Sequence, residues 1–329
     1  MKALGTYKRL PAVMVCILAF MAASNGLGLA QAILKFVTVE AEASSLMGDV
    51  RVTDDDMAAA GAYLGFGPNT QDPPGWELLW EDNFDGTAND TTANPMLNTT
   101  ITDLIRKRSQ WSPYNSPGHA GNGLRRPSAF MLENGNLVIT AKSVLQTDGT
   151  KKTVSGGMSN KTNTIYGRFE TRVRVETDPT ATMSGLVLTW PLAGNNCLNG
   201  ELDFFETGSS AGATRQPFYS YLHYPTADQA CTPTPQRQFV HNFAATKWHK
   251  VVMEWLPGSI NVKVYDSPSG AEGVETLVSD NTLFEDSTDK IPDVMHHITV
   301  QLDAFKSAPL PDGVVVRQYV DYVRHYKKL

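Results

Sequence analysis

Three carboxylates fall within six residues of an otherwise apolar segment, Asn199-Gly200-Glu201-Leu202-Asp203-Phe204-Phe205-Glu206. Successive side chains of a β-strand alternate between faces, so Glu201 and Asp203 share one face and Leu202 and Phe204 the other. Glu206 is five residues from Glu201, and a regular strand would turn it into the core, where an unpaired carboxylate is costly. One inserted residue, a β-bulge at Phe204-Phe205, returns Glu206 to the face of the other two. The two glutamates then lie four regular steps apart, ~13 Å between Cα atoms at ~3.3 Å per step. Side chains leaning inward bring the carboxyls to about 5 Å, the spacing at which one attacks a glycosidic carbon and the other handles the proton. Three acids crowded on one face cannot all ionise easily, so their pKa values must separate. Taken alone, the hexapeptide also fits a solvated sheet face that happens to carry acids.

The elements that must hold such a strand are legible downstream of Pro73-Pro74-Gly75. Residues 137–142 (LVITAK), 167–175 (GRFETRVRV), 250–255 (KVVMEW), 260–266 (INVKVYD) and 314–326 read as short strands. Several alternate apolar and polar residues, as half-buried antiparallel strands do. Gly, Pro, Asn and Asp clusters punctuate them, and no long helical period appears. The expectation is an all-β jelly-roll sandwich of two antiparallel sheets with a concave cleft. A chain of 329 residues with 41% hydrophobic and 19% charged content can bury the core that this fold needs.

Charge and cysteine usage exclude other classes. Lys+Arg number 28 against 34 Asp+Glu, net −6. Residues 1–32 hold Lys2, Lys8 and Arg9 and no acids, so without them the balance is 25 against 34, or −9. An acidic chain with no basic run lacks the clustered cations that nucleic acid requires. Neither C-x-x-C nor H-E-x-x-H occurs, so catalytic zinc and iron–sulfur chemistry are not expected. No cofactor is expected for catalysis.

Residues 1–32 read as a secretory signal: the basic residues above, an apolar stretch at 11–23 (PAVMVCILAFMAA) and an A-x-A site at Ala30-Gln31-Ala32. The apolar stretch is shorter than the ~20 residues a spanning helix needs, so a membrane span is not expected. Cys16 leaves with the signal, and Cys197 and Cys231 remain as a pair in an oxidising compartment, expected to form a disulfide. The sequons at Asn89, Asn98 and Asn160 matter only in a eukaryotic host. Residues 33–75 are acidic and Ala/Gly-rich, and residues 76–329 form the expected catalytic domain.

From residue 76 to residue 326 the chain resembles glycoside hydrolase family 16, the jelly-roll endo-glucanases and endo-galactanases that include laminarinases. The resemblance is carried by WELLWEDNFDGT (76–87), NLVITAK (136–142), YGRFETR (166–172), GELDFFE (200–206) and YVDYVRHY (319–326), with Met295-His296 and Gln301-Leu302-Asp303 between the last two. It implies Glu201 as nucleophile, Asp203 as the residue that orients it and tunes its charge, and Glu206 as general acid/base. It places Trp190 where an indole stacks on sugar rings, and His223 and Gln301 among polar cleft residues. It also implies a structural Ca²⁺ held by Asp321. The chain departs from the pattern at Asn196-Cys197-Leu198, where many members carry a Trp-Pro platform. Residues 39–67 resemble the first two strands of a family 6 or 35 carbohydrate-binding module. Forty residues cannot build an independent core, so they read as a remnant or a plain acidic linker.

The implied activity is that of a secreted, monomeric, retaining endo-β-glycosidase acting on a β-1,3- or mixed-linkage glucan. A galactanase or carrageenase-like activity, a transglycosylase on the same glutamates, and a non-catalytic jelly-roll lectin are the alternatives. A lectin has no need of three acids at bulge spacing.

Overall fold

A computed structural model describes residues 50–54, 62–66, 72–84, 111–194, 196–208, 214–224, 236–268, 275–285 and 290–329. The strands begin with β1 (Val50–Asp54), β2 (Ala62–Phe66), β3 (Trp76–Asp82), β4 (Trp111–Pro113), β5 (Ser116–Pro117) and β6 (Leu124–Arg125). They continue through β7 (Phe130–Glu133), β8 (Asn136–Leu145), β9 (Lys151–Thr164), β10 (Gly167–Val175), β11 (Met183–Pro191), β12 (Glu201–Glu206) and β13 (Phe218–His223). The last are β14 (Gln236–His241), β15 (His249–Leu256), β16 (Ser259–Asp266), β17 (Thr276–Glu285), β18 (His296–Ala304) and β19 (Val315–Lys328). One helical turn, α1 (Asn196–Asn199), precedes β12. β1 and β2 pair only with each other, antiparallel.

The remaining strands form two layers. The front sheet runs β14-β13-β12-β11-β18-β9-β4, antiparallel throughout. The back sheet runs β17-β16-β15-β10-β19, and the far edge of β19 is shared end to end by β8 and β3. β9 belongs to both layers: residues from Lys151 pair with β8, and residues from Gly156 onward pair with β18. The expected all-β jelly roll is the observed architecture, with the acid-bearing β12 inside the front sheet between β13 and β11.

Alternation explains the layering. β16 buries Ile260, Val262 and Val264 and leaves the residues between them half-buried. In the front sheet Leu202, Phe204 and Phe205 of β12 are fully buried in the common core. Phe204 meets Phe169 of the back sheet with ring centroids 6.4 Å apart, and Trp255 of β15 meets His296 of β18 at 5.0 Å. Each such side chain contributes roughly 1.5–3 kcal/mol by leaving water, and together they fix the front sheet on the back one.

The outer face of the back sheet is an ion-pair ladder. Arg168 binds Glu170 and Glu254, and Arg324 donates to Glu81 at 3.0 Å. Asp321 accepts from Arg172 Nη1 at 2.9 Å. The guanidinium supplies a countercharge to the carboxylate that was expected to hold calcium. Cys231 lies outside the described residues, so the expected Cys197–Cys231 disulfide does too.

Candidate active site

The bulge is where the spacing of the acids demands it. Against β11, Asp203 pairs with Leu188 and Phe205 with Val187, leaving Phe204 without a partner. Against β13, Asp203 pairs with Tyr221 and Glu206 with Tyr219, so Phe204 and Phe205 together oppose Ser220. Both phenylalanines point into the core, and Glu201, Asp203 and Glu206 share the opposite face.

That face is the floor of a cleft of about 830 Å³ lined by all three acids. Trp190, His223 and Gln301, named from the sequence, also line it. Neighbouring strands set the side chains in rows across the floor. Glu201 faces His223 across the ladder, Asp203 faces Tyr221, and Gln301 faces Leu186, itself the partner of Glu206. Tyr219, Tyr221 and His223 stack along β13 with centroids 5.6 and 5.9 Å apart. They form a wall of rings beside the carboxylates.

Local contacts fix each acid. His223 Nε2 lies 3.2 Å from Asp203 Oδ2. Asn196 Nδ2 donates to Glu201 Oε2 at 2.6 Å. The turn carrying Asn196 is closed by the Gly200 amide on the Asn196 carbonyl at 2.7 Å, and His296 Nε2 lies 3.0 Å from the Asn199 carbonyl. Glu201, Asp203 and His223 each bring a ligand atom within 4.8 Å of the others, the one group among the described residues that could hold a metal ion. The acid–acid and acid–imidazole contacts already account for their approach.

The electrostatics follow from burial. Desolvation, then the Asp203 charge, pushes Glu201 up to about 8. Desolvation, then repulsion from Asp203 and Glu201, also raises Glu206. Asp203, wholly buried, is raised by desolvation, with a hydrogen bond to Glu201 opposing. The site therefore holds protons at neutral pH. Only Glu201 combines the Asn196 donor with the attraction of the His223 imidazole, both of which favour its anion. Glu206 has His223 alone on that side of the balance.

Solved structures share this arrangement of strands. The laminarinase catalytic domain from Thermotoga maritima superposes with a TM-score of 0.52 at 19% identity, over 77% of this chain and 99% of that one. A non-specific endo-β-1,3(4)-glucanase from family GH16 gives 0.56 at 19% identity, over 78% and 93%. A protein described among endo-acting O-glycanases of the human gut microbiota gives 0.54 at 20%, over 79% and 94%. This is the fold of the family 16 glucanases. No protein-family model matches the sequence, and no curated protein does.

On the family 16 fold, the sequence reading named six cleft residues, and all six line the cleft. It did not name Asn196, Tyr221, His297, Thr299, Tyr114 or Arg125, which line it too. Tyr221, His297 and Thr299 were within reach of pattern reasoning, since each shares strand parity with a named neighbour. Asn196 was not, because it stands where the resemblance led one to expect an aromatic platform, and a polar donor takes its place. Arg125 enters the cleft already paired, bidentate to the buried Asp303, so it brings no free cation for a sulfated substrate.

Proposed function

We propose that the protein is a secreted endo-β-glycosidase that hydrolyses a β-1,3- or mixed-linkage glucan with retention of anomeric configuration. The observation that carries the proposal is the bulge that returns Glu206 to the face of Glu201 and Asp203 on a cleft floor. Glu201, as anion, attacks the anomeric carbon and forms a glycosyl ester while Glu206 gives its proton to the departing oxygen. Glu206, now a carboxylate, takes a proton from water as that water attacks the same carbon and releases Glu201. Asp203, held by His223, keeps Glu201 oriented and its charge tuned through their shared hydrogen bond. Trp190 offers a stacking surface for a pyranose, and Gln301 and His223 offer polar contacts to hydroxyls.

Export is supported by the basic and apolar pattern of residues 1–32, and it makes a Cys197–Cys231 disulfide the expected state. The glucan-acting neighbours support the substrate class, and the absence of a free cation from Arg125 argues against sulfated galactans.

Reducing-sugar release should be measured from laminarin, lichenan, agarose, carrageenan and mucin, with proton NMR of the first-formed product. Release from laminarin or lichenan with the β-anomer appearing first is expected. An α-anomer appearing first would mean that water attacks directly and that the roles given to the two glutamates are wrong.

A further inference from the structure

The bulge leaves Phe204 without a partner on β11, and the way its backbone is held ties the catalytic spacing to residues remote from the cleft. Phe204 pairs with no residue of β11, and Phe204 and Phe205 share Ser220 as their opposite on β13. Ser220, fully buried on the core side, donates its hydroxyl to the Phe204 carbonyl at 2.9 Å. Ser220 Oγ also lies 2.9 Å from Nε2 of His241 on β14, and His241 Nδ1 lies 3.3 Å from Oγ of Ser279 on β17. Asn281 Nδ2 in turn donates to Ser279 Oγ. A hydrogen-bond chain therefore runs from the edge of the back sheet through β14 and β13 to the bulge between Glu201 and Glu206.

The proton inventory gives the chain one direction. A carbonyl only accepts, so the single Ser220 proton is committed to Phe204. Ser220 Oγ must then accept from His241, which places the imidazole proton on Nε2. Nδ1 is left as an acceptor and takes the Ser279 proton, while Ser279 accepts from Asn281. Burial pushes His241 down to about 4, so it is neutral with one donor and one acceptor nitrogen, as this pattern requires. Every donor has an acceptor, and an unsatisfied carbonyl in this dry layer would be costly.

We propose that Ser220 and His241 are positioning residues: they pin the β12 bulge and thereby set the spacing of the two glutamates on the cleft face. The proposal rests on the glycosidase reading of those glutamates. Neither residue lines the cleft, so neither touches substrate. Each acts through the backbone of Phe204.

Two measurements test it. In the intact protein, ¹⁵N NMR of His241 should show the neutral Nε2–H tautomer with a slowly exchanging proton; the Nδ1–H tautomer would overturn the chain. Steady-state kinetics on the best glucan should show Ser220→Ala lowering kcat about 10- to 100-fold, as sub-ångström misplacement does, with KM little changed. Ser220→Thr, which keeps the hydroxyl, should recover most of kcat. A Ser220→Ala protein of lower Tm but full kcat would make the residue structural only and defeat the proposal. If Ser220→Ala does not fold, His241→Gln, whose amide can still donate to Ser220, must keep most of kcat and His241→Leu must lose it; equal activity in both overturns it. Activity surviving Glu201→Gln would instead sink the glycosidase reading, whatever Ser220 does.

Discussion

Glu201 and Glu206 begin with nearly the same burial and part company through their neighbours. Both are raised by desolvation and by the Asp203 charge, but Glu201 alone accepts from Asn196 at 2.6 Å. That contact favours the anion on Glu201 and leaves the proton to Glu206, the division that the proposed double displacement needs. Glu206→Gln should lose activity on glucan yet keep part of it on an aryl glycoside, whose activated leaving group needs no protonation. Azide should speed that variant by replacing the water that Glu206 no longer activates. Equal losses on both substrates, unmoved by azide, would take the proton-handling role away from Glu206. The same burial has a stability consequence. Glu206, raised from 4.5 in the unfolded chain to about 8 in the folded one, binds a proton only when folded across that window. Stability is thus undiminished below pH 4.5 and declines as pH rises toward 8. Glu206→Gln, which has no charge to bury, should melt at the same temperature as the parent at pH 4. Its advantage should grow steadily from pH 5 to pH 8. A constant difference in Tm across that range would show that Glu206 is not held protonated by the fold.

At the scale of elements, β12 and the turn before it decide where those carboxylates stand. Gly200 lies in the left-handed region at φ 78°, ending the helical turn, and a Cβ there would meet Pro292 Cγ at 2.2 Å. A left-handed non-glycine residue costs about 1–2 kcal/mol and an overpacked contact about 1–3, so Gly200→Ala should destabilise by about 2–5 kcal/mol. Because the strained residue adjoins Glu201, kcat should fall even well below the melting transition; denaturant unfolding and kinetics at 20 °C read the two effects separately. Full kcat in a destabilised Gly200→Ala protein would show that Glu201 is positioned by its strand alone. The bulge was legible in the sequence because five-residue spacing of two acids conflicts with a period of two, and only an inserted residue removes the conflict. The turn was not legible. Its geometry depends on His296, 97 residues from the Asn199 carbonyl it approaches, and on Pro292, neither of which leaves a local signal. The pairing of Asp321 was not legible for a related reason: Arg172 lies on another strand, and only the β10–β19 register brings them together.

For the whole molecule, the question is which part of the chain the cleft requires. The strand alternation that exposed the sandwich to sequence reading begins at Trp76, and the packing begins there too. Trp80 is buried on β3, its ring set edge-on to Trp111 with centroids 6.2 Å apart. Asp82 accepts from Trp111 Nε1 at 2.9 Å and from the Phe84 amide at 3.0 Å. β3 also covers the edge of β19 from Trp76 to Asp82, where Arg324 meets Glu81. β1 and β2, by contrast, pair only with each other, and no strand of either sheet takes them as a neighbour. Removal of residues 1–72 should therefore leave Tm within about 2 °C and glucan hydrolysis unchanged, since it takes away no described strand that either sheet pairs with. Removal of residues 1–82 should abolish the fold: it strips the buried Trp80 from the core, removes the Asp82 acceptor of the Trp111 indole and leaves Arg324 buried without Glu81, a loss of about 3–5 kcal/mol at the ion pair alone. Calorimetry and laminarin hydrolysis on the two truncated proteins check both halves. A shorter cut that removes activity while Tm holds would place part of the substrate site in residues 1–72 and give the strands resembling a carbohydrate-binding module a role in catalysis.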